Sequence, residues 1–553
     1  MNYKKLLNLF FAFFAISLLS AQISLGKLGI LSGSVQSDVL FPQEDSLIGA
    51  KKYEQFALTN TYVTLNLASK YVDAGARFEF LKYPLPGFES DFAGWGVPNF
   101  YATGKLGKFR LTAGDFYEQF GSGLILRTYE DRTLGIDNSL RGGRLAAEVF
   151  KGVNIKLLAG QQRRYWTHND GYVAGADAEF AVERWFKRLD ESATFLTFGT
   201  SFVSKNEPDE TIVTDASHSL VLPKNVAAYD FRMRLQKGDY SFLAEYAGKI
   251  NDPSKDNGYI YKNGSALLVS ASFARSGISA LLQAKRSDNM SFRSRRSQVL
   301  NSSFINNLPA FTTQQTYTLA ALYPYATQPD GEWAFQGGFS YLFKRKTALG
   351  GKYGTTVKIH ASHIRDINKQ YLNGFQTIDN SLKGSEGYKS SFFKMGETLY
   401  YQDVNLSIDK KITTDFKLNL MYMYQYIDLA VVRKEIGVVK SNIFIAEGKY
   451  QLNKKNALRG ELQYLQTKDD EGDWIYGTLE WTLLPSFMFT VSDMYNAGAT
   501  NLHYYKALVT YTVGSHFIQA GFGRTRAGRD CSGGVCRDVP ASKGFTLSYN
   551  YTF

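Results

Sequence analysis

From Gln22 to Phe553 the chain is a succession of segments, each about ten residues long, in which apolar and polar side chains alternate with a period of two; turn-forming residues separate them. Phe416, Leu418, Leu420, Tyr422, Tyr424 and Tyr426 fall on one face of such a segment, and Lys417, Asn419, Met421, Met423 and Gln425 on the other. Upstream, Ala227, Tyr229, Phe231, Met233 and Leu235 alternate with Ala228, Asp230, Arg232 and Arg234. Phe545, Leu547, Tyr549, Tyr551 and Phe553 alternate with Thr546, Ser548, Asn550 and Thr552. The pattern predicts β-strands with one greasy, ring-rich face and one polar face.

Two architectures produce it. A soluble sandwich or propeller hides the apolar face in a core. A transmembrane barrel turns that face to lipid and encloses the polar one. Composition favours the barrel: aromatics are 15% of the residues, with 36 Tyr and 40 Phe, and Tyr is abundant on the apolar face, as interfacial girdles require. No repeat at propeller spacing is visible. The last strand ends on Phe553, which resembles the C-terminal signature of bacterial outer-membrane barrels.

Connection lengths agree with this topology. Short periplasmic turns are expected at 107–108, 151–152, 237–238, 276–277, 413–415, 454–455, 485–486 and 514–515. Between them lie longer outer loops at 39–55, 83–97, 119–141, 206–224, 250–263, 433–441, 468–472, 497–502 and 526–542. Thirteen strands precede residue 288 and nine lie beyond residue 400. Between them are three candidates, 314–323, 333–343 and 354–364, where closure demands an even number. The expected fold is therefore all-β: a large transmembrane antiparallel up-and-down barrel of about 24–26 strands. Segments 288–332 and 365–399 have no assigned part in it.

The N-terminus reads as an address. Lys4 and Lys5 precede an apolar run from Leu6 to Leu19, and Ser20-Ala21 offers a cleavage site. The expected organisation is a signal peptide at 1–21 followed by one barrel domain at 22–553, in the cell outer membrane. Losing the two lysines takes the formal charge from +12 to +10, that is, 61 basic against 51 acidic residues. The chain has two cysteines, Cys531 and Cys536, which flank Gly533-Gly534 in the last outer loop; a small structural disulfide is expected there.

Catalytic and metal constellations are scarce. His360 and His363 are three apart on a strand and face opposite sides. No nucleophile elbow or metalloprotease helix occurs. Asp469-Asp470-Glu471-Gly472-Asp473 reads as a solvated hairpin before it reads as a Ca²⁺ loop. No enzyme activity, cofactor, metal or nucleic-acid partner is expected. Arg293, Arg295 and Arg296, Lys344-Arg345-Lys346, and Arg524, Arg526 and Arg529 form basic clusters, which point to outer-leaflet lipid or lipopolysaccharide, or to loop stabilisation.

The segment 114–144 is more unusual. It runs Gly114-Asp115-Phe116-Tyr117-Glu118-Gln119-Phe120-Gly121-Ser122-Gly123, carries Leu124, Ile125 and Leu126, then Arg127, Glu130, Asp131 and Arg132, and ends in Arg141-Gly142-Gly143-Arg144. Two readings stand open: an extracellular cap or strand pair, or a loop folded into the lumen. In the second, Arg127, Glu130, Asp131, Arg132, Arg141 and Arg144 constrict a pore. Asp230, Arg232, Glu245, Arg459 and Glu461 are further candidate lumen charges.

These motifs, with Leu322-Tyr323-Pro324-Tyr325-Ala326-Thr327-Gln328-Pro329 and Leu349-Gly350-Gly351-Lys352-Tyr353-Gly354, resemble an uncharacterised family of Bacteroidota outer-membrane proteins. The resemblance implies location and fold and brings no functional residues. The reading is a porin-like barrel for passive solute passage. The alternative is a non-conducting scaffold subunit of an export or assembly complex, with envelope protein partners.

Overall fold

The computed structural model describes residues 22–299, 301–374, 382–435, 437–532 and 535–553. The expected signal peptide, 1–21, lies outside the described residues. Twenty-four strands form one closed antiparallel barrel. Each pairs with its neighbour in sequence, and the first, Ile30–Pro42, closes the ring against the last, Ser542–Thr552, from Ser34 opposite Thr552 to Pro42 opposite Gly544. With strands about 4.8 Å apart and tilted by about 40°, such a ring has a backbone diameter of roughly 48 Å. That is too wide for wall side chains alone to fill.

The dyad pattern fixes which face looks out. In Asn225–Lys237, Phe231 is 59% exposed while its neighbour Asp230 is fully buried; in Asn456–Gln466, Leu462 is 67% exposed against 6% for Glu461. Exposed apolar side chains around an entire ring have no stable place in water. They suit a hydrocarbon environment, where a closed barrel also satisfies every strand's backbone hydrogen bonds internally. Aromatic pairs such as Tyr240–Phe273 and Phe487–Tyr511, with centroids 5.0 and 4.7 Å apart, flank the periplasmic turns. Most of these turns are tight, as at Gly238, which takes a positive φ of 54°. Those at 182–193 and 344–354 are longer.

The middle of the chain supplies two strands, Gly331–Phe343 and Thr355–Tyr371, which bring the ring to 24; the candidate at 314–323 is not a strand. Two neighbouring strands, Thr355–Tyr371 and Tyr388–Lys411, have 17 and 24 residues and run past the bilayer belt as an outer hairpin. The two strands of that hairpin take up 365–371 and 388–399 of one unassigned segment, and the described residues of 289–330, most of the other, fold into the barrel.

Candidate functional site: two loops folded into the lumen

The loop 117–139 leaves the strand Phe109–Phe116 at the outer rim and turns inward. Phe120, Leu124, Ile125 and Leu126 are fully buried, because inside the barrel they pack on one another and on wall residues such as Val173 and Val203. Wall glycine makes the approach possible: a Cβ on Gly175 would stand 2.9 Å from the Phe120 ring. Gly121 has a φ of +50°, and a Cβ there would meet the Glu245 carboxylate at 2.7 Å. With none, the Ser122 backbone N–H donates to Glu245 at 2.8 Å.

The return limb is held by charge. Asp137 accepts from Arg77 and from Arg163, which project from the strands Val72–Leu81 and Val153–Arg164 and are 4% and 3% exposed. Both arginines also pair with Glu79, at 2.7 and 2.8 Å, and Arg77 reaches Glu130 at 2.9 Å. Burial opposes the charged form of Asp137, yet Arg163 and Arg77 hold its carboxyl below the usual carboxylate range. At the tip, Arg132 donates to Gln36 at 2.9 Å and lies 4.4 Å from the Tyr62 ring.

The second loop, 289–330, packs against the first. Arg127 N–H donates to the Ile305 carbonyl at 2.8 Å, Asn307 N–H to Gly123 at 3.0 Å, and the Asn306 amide to Leu124 at 2.9 Å. Gln162, on the seventh strand of the ring, donates to the Phe304 carbonyl at 2.6 Å. Fifteen residues later the Leu319 N–H donates to Gln463 at 2.8 Å, on the nineteenth strand, Asn456–Gln466. Seven and nineteen are twelve apart in a ring of 24, so the loop joins diametrically opposite walls. Tyr317 and Tyr323 add bonds to Asn419 at 2.9 Å and Asp470 at 2.8 Å, and Gln425 donates to the Tyr323 carbonyl at 3.0 Å. At the loop's base a fully buried ion pair, Lys285–Glu332 at 2.7 Å, holds both limbs. Lys285 donates to the Pro309 carbonyl, while Glu332 accepts from Tyr325 and, at 2.8 Å, from Gln328 N–H.

The chain belongs to the DUF6029 family. That family is described only as one of unknown function, and its model matches residues 3–553. No curated protein matches the sequence. Among solved structures, the DUF6029 barrel is similar to the P pilus usher (PapC) translocation pore, with 9% identity over 94% of this chain and 99% of that one and a TM-score of 0.44. It is similar to the siderophore receptor PirA from Pseudomonas aeruginosa, with 12% identity, 95% and 80% coverage and a TM-score of 0.40. It is also similar to OccAB3 from Acinetobacter baumannii, with 10% identity, 95% and 98% coverage and a TM-score of 0.36. At such scores function has to come from this chain's own side chains.

The side chains singled out from the DUF6029 sequence are mostly neutralised within a few ångströms. Arg127 lies over the Tyr129 ring at 4.7 Å, and Arg132 pairs with Glu130. Asp131 caps its own turn by accepting from Thr133 N–H at 3.0 Å. Arg141 clamps Asp115 at 2.8 Å, and Arg144 shares Glu118 with Lys156. On the wall, Arg232 gathers Asp177, Glu179 and Asp230, and Arg459 gathers Glu447, Glu461 and Glu480. Glu245 serves as the docking point for the first loop.

Arg293 and Arg296 are not lipid-facing. They are buried with the second loop, paired with Asp256 at 2.6 Å and Glu207 at 3.2 Å, because the loop that carries them turns inward. Arg524 and Arg526 tie outer loops together through Asp45 and Glu471, and Arg529 pairs with Asp538 across its own hairpin. In the acidic run, Asp469, Asp470, Glu471 and Asp473 each accept from a different donor. Among the described residues no group of three His, Cys, Asp or Glu side chains could hold a metal ion. Cys531 and Cys536 sit directly opposite in an outer hairpin, Gly528–Ser532 against Val535–Val539, and are joined by a disulfide with a Cα–Cα distance of 4.1 Å.

Proposed function

We propose that this barrel is an outer-membrane transport protein, without catalytic activity, whose lumen is closed at rest by two of its own outer loops. Passage then needs those loops to shift, so the porin-like reading becomes one of gated passage. The observation that carries this is the run from Gln162 through 304–319 to Gln463, which crosses the enclosed space between opposite walls. The signal-like N-terminus and the resemblance of its motifs to Bacteroidota proteins support placement in a Bacteroidota outer membrane, with lipopolysaccharide as the surrounding lipid. Purified protein in planar bilayers should show a low, rarely interrupted baseline. Replacing 309–326 by a short Gly-Ser linker should give large stepwise conductances. A tight seal in both proteins would overturn the proposal, as would large steady currents from the intact chain.

A scaffold role is supported by one feature, the outer hairpin of Thr355–Tyr371 and Tyr388–Lys411. Phe393, on its second strand, is 82% exposed. A stoichiometric partner co-purifying in mild detergent, and lost on shortening of the hairpin, would support that reading; a lone monomer would count against it.

A further inference from the structure

Between the two inward loops, the wall and the disulfide hairpin lies a cavity of about 610 Å³, within the size range of small-molecule sites. Thr133 and Leu134 of the first loop, the stretch 310–325 of the second, Tyr401 and Gln425 of the wall, and 529–532 of the hairpin line it. The charges at its edge are already spent: Arg529 pairs with Asp538 at 2.6 Å, and Asp530 with Arg537 at 3.6 Å. What remains is uncharged and polar. Two of the lining residues each carry a buried polar atom without a hydrogen-bond partner. Gln425 is 1% exposed, and its amide donates to Tyr323 and Tyr401 while its Oε1 has no partner; Nε2 of Gln315, on the second loop, has none either. A buried acceptor and donor without partners are costly unless something supplies the missing bonds. Beside them stand aromatic walls, Tyr323, Tyr325 and Tyr401, the last two with ring centroids 5.4 Å apart.

We propose that this cavity binds a neutral saccharide, whose C–H faces lie against the tyrosine rings while its hydroxyls donate to Gln425 Oε1 and accept from Gln315 Nε2. A sugar ring presents apolar faces and a rim of uncharged hydroxyls, which matches aromatic walls set with amides and no free charge. Charged solutes would meet no counter-charge there, and a peptide would leave the ring faces poorly covered. The site names a solute class for the transport reading and rests on it, but binding is measured apart from conduction, so the two can fail separately.

The test is calorimetry on the detergent-solubilised full chain with cellobiose and N,N′-diacetylchitobiose. Intact lipopolysaccharide is titrated separately, and glucose 6-phosphate and tetra-alanine serve as charged and peptide controls. Binding of either disaccharide supports the site with a free sugar as ligand; binding of lipopolysaccharide alone supports it with the envelope glycolipid as the source. Gln425→Leu should weaken binding at least about tenfold. That variant also loses two bonds within the protein, so Gln315→Leu, which removes an N–H group that has no partner, is the second variant and should weaken binding in the same direction. Absence of binding by every saccharide, binding by the controls alone, or undiminished affinity in Gln315→Leu would overturn the proposal.

Discussion

The ion pair at the base of the second loop gives the sharpest test of how the lumen is held shut. Both side chains of Lys285–Glu332 are fully buried, and the pair serves three loop contacts: Pro309 on the lysine, Tyr325 and Gln328 on the glutamate. Glu332→Gln keeps the shape and one acceptor but removes the counter-charge, leaving the ammonium with neutral oxygens and the Phe311 ring, 5.5 Å away. Breaking a buried pair by neutralising one partner costs about 3–5 kcal/mol. The cost falls on the seated loop, since a withdrawn loop lets water reach Lys285. At 1.36 kcal/mol per tenfold, the ratio of withdrawn to seated loop should rise roughly 150- to 5,000-fold. Single-channel recording in planar bilayers reads this as open probability. Lys285→Met combined with Glu332→Gln removes the stranded charge and should return most of the closure, since replacing both members of a buried pair is often nearly neutral. An unchanged open probability in the single variant, or equal opening in single and double variants, would show that this pair does not hold the loop.

Three further outcomes are expected. Asp137→Asn should free the return limb of the first loop and expose 127–132 to protease added to the outer side of proteoliposomes. In the parent protein the carboxyl of Asp137 is held below its ordinary 3.8, so its contribution is present above that value and lost as pH falls through the folded-state pKa; protection should be flat from neutral pH down to about 4 and disappear only below, by pepsin digestion. Gly121→Ala combines a positive φ with a Cβ 2.7 Å from the Glu245 carboxylate and should cost about 1–2 kcal/mol of loop seating, visible as raised open probability; a silent variant would mean the loop does not dock there. Replacing both Cys531 and Cys536 by Ser should loosen the short hairpin by about 2 kcal/mol on loop-closure grounds, so proteolysis within 526–541 should quicken while the barrel's heat-modifiable gel migration stays the same.

The wall was legible in the sequence because its determinants are local. Thirteen strands before residue 288 and nine beyond residue 400 follow from alternation and turn residues alone, and the opposite facing of Phe231 and Asp230 is a direct consequence of the pleat. The lumen was not legible, because its order comes from contacts far apart in sequence. Tyr317 is placed by Asn419 and Leu319 by Gln463, each over a hundred residues away. Alternation at 314–323 therefore reads like a strand although the segment is a loop inside the barrel, with Gln314, Thr316, Thr318 and Ala321 exposed. Arg293 and Arg296 look like surface charge for the same reason: their partners, Asp256 and Glu207, lie in other outer loops. Two local signs were there: the apolar Leu124-Ile125-Leu126 within an outer loop, and the length of the connection 289–330, which is uncommon unless it has work inside the fold.

The second loop begins and ends at one spot, since Asp288 and Gly331 are directly opposed on adjacent strands. On the gated reading, those shared ends make a hinge: once the contacts to Gln162 and Gln463 are broken, the loop can swing clear of the passage without any strand leaving the wall.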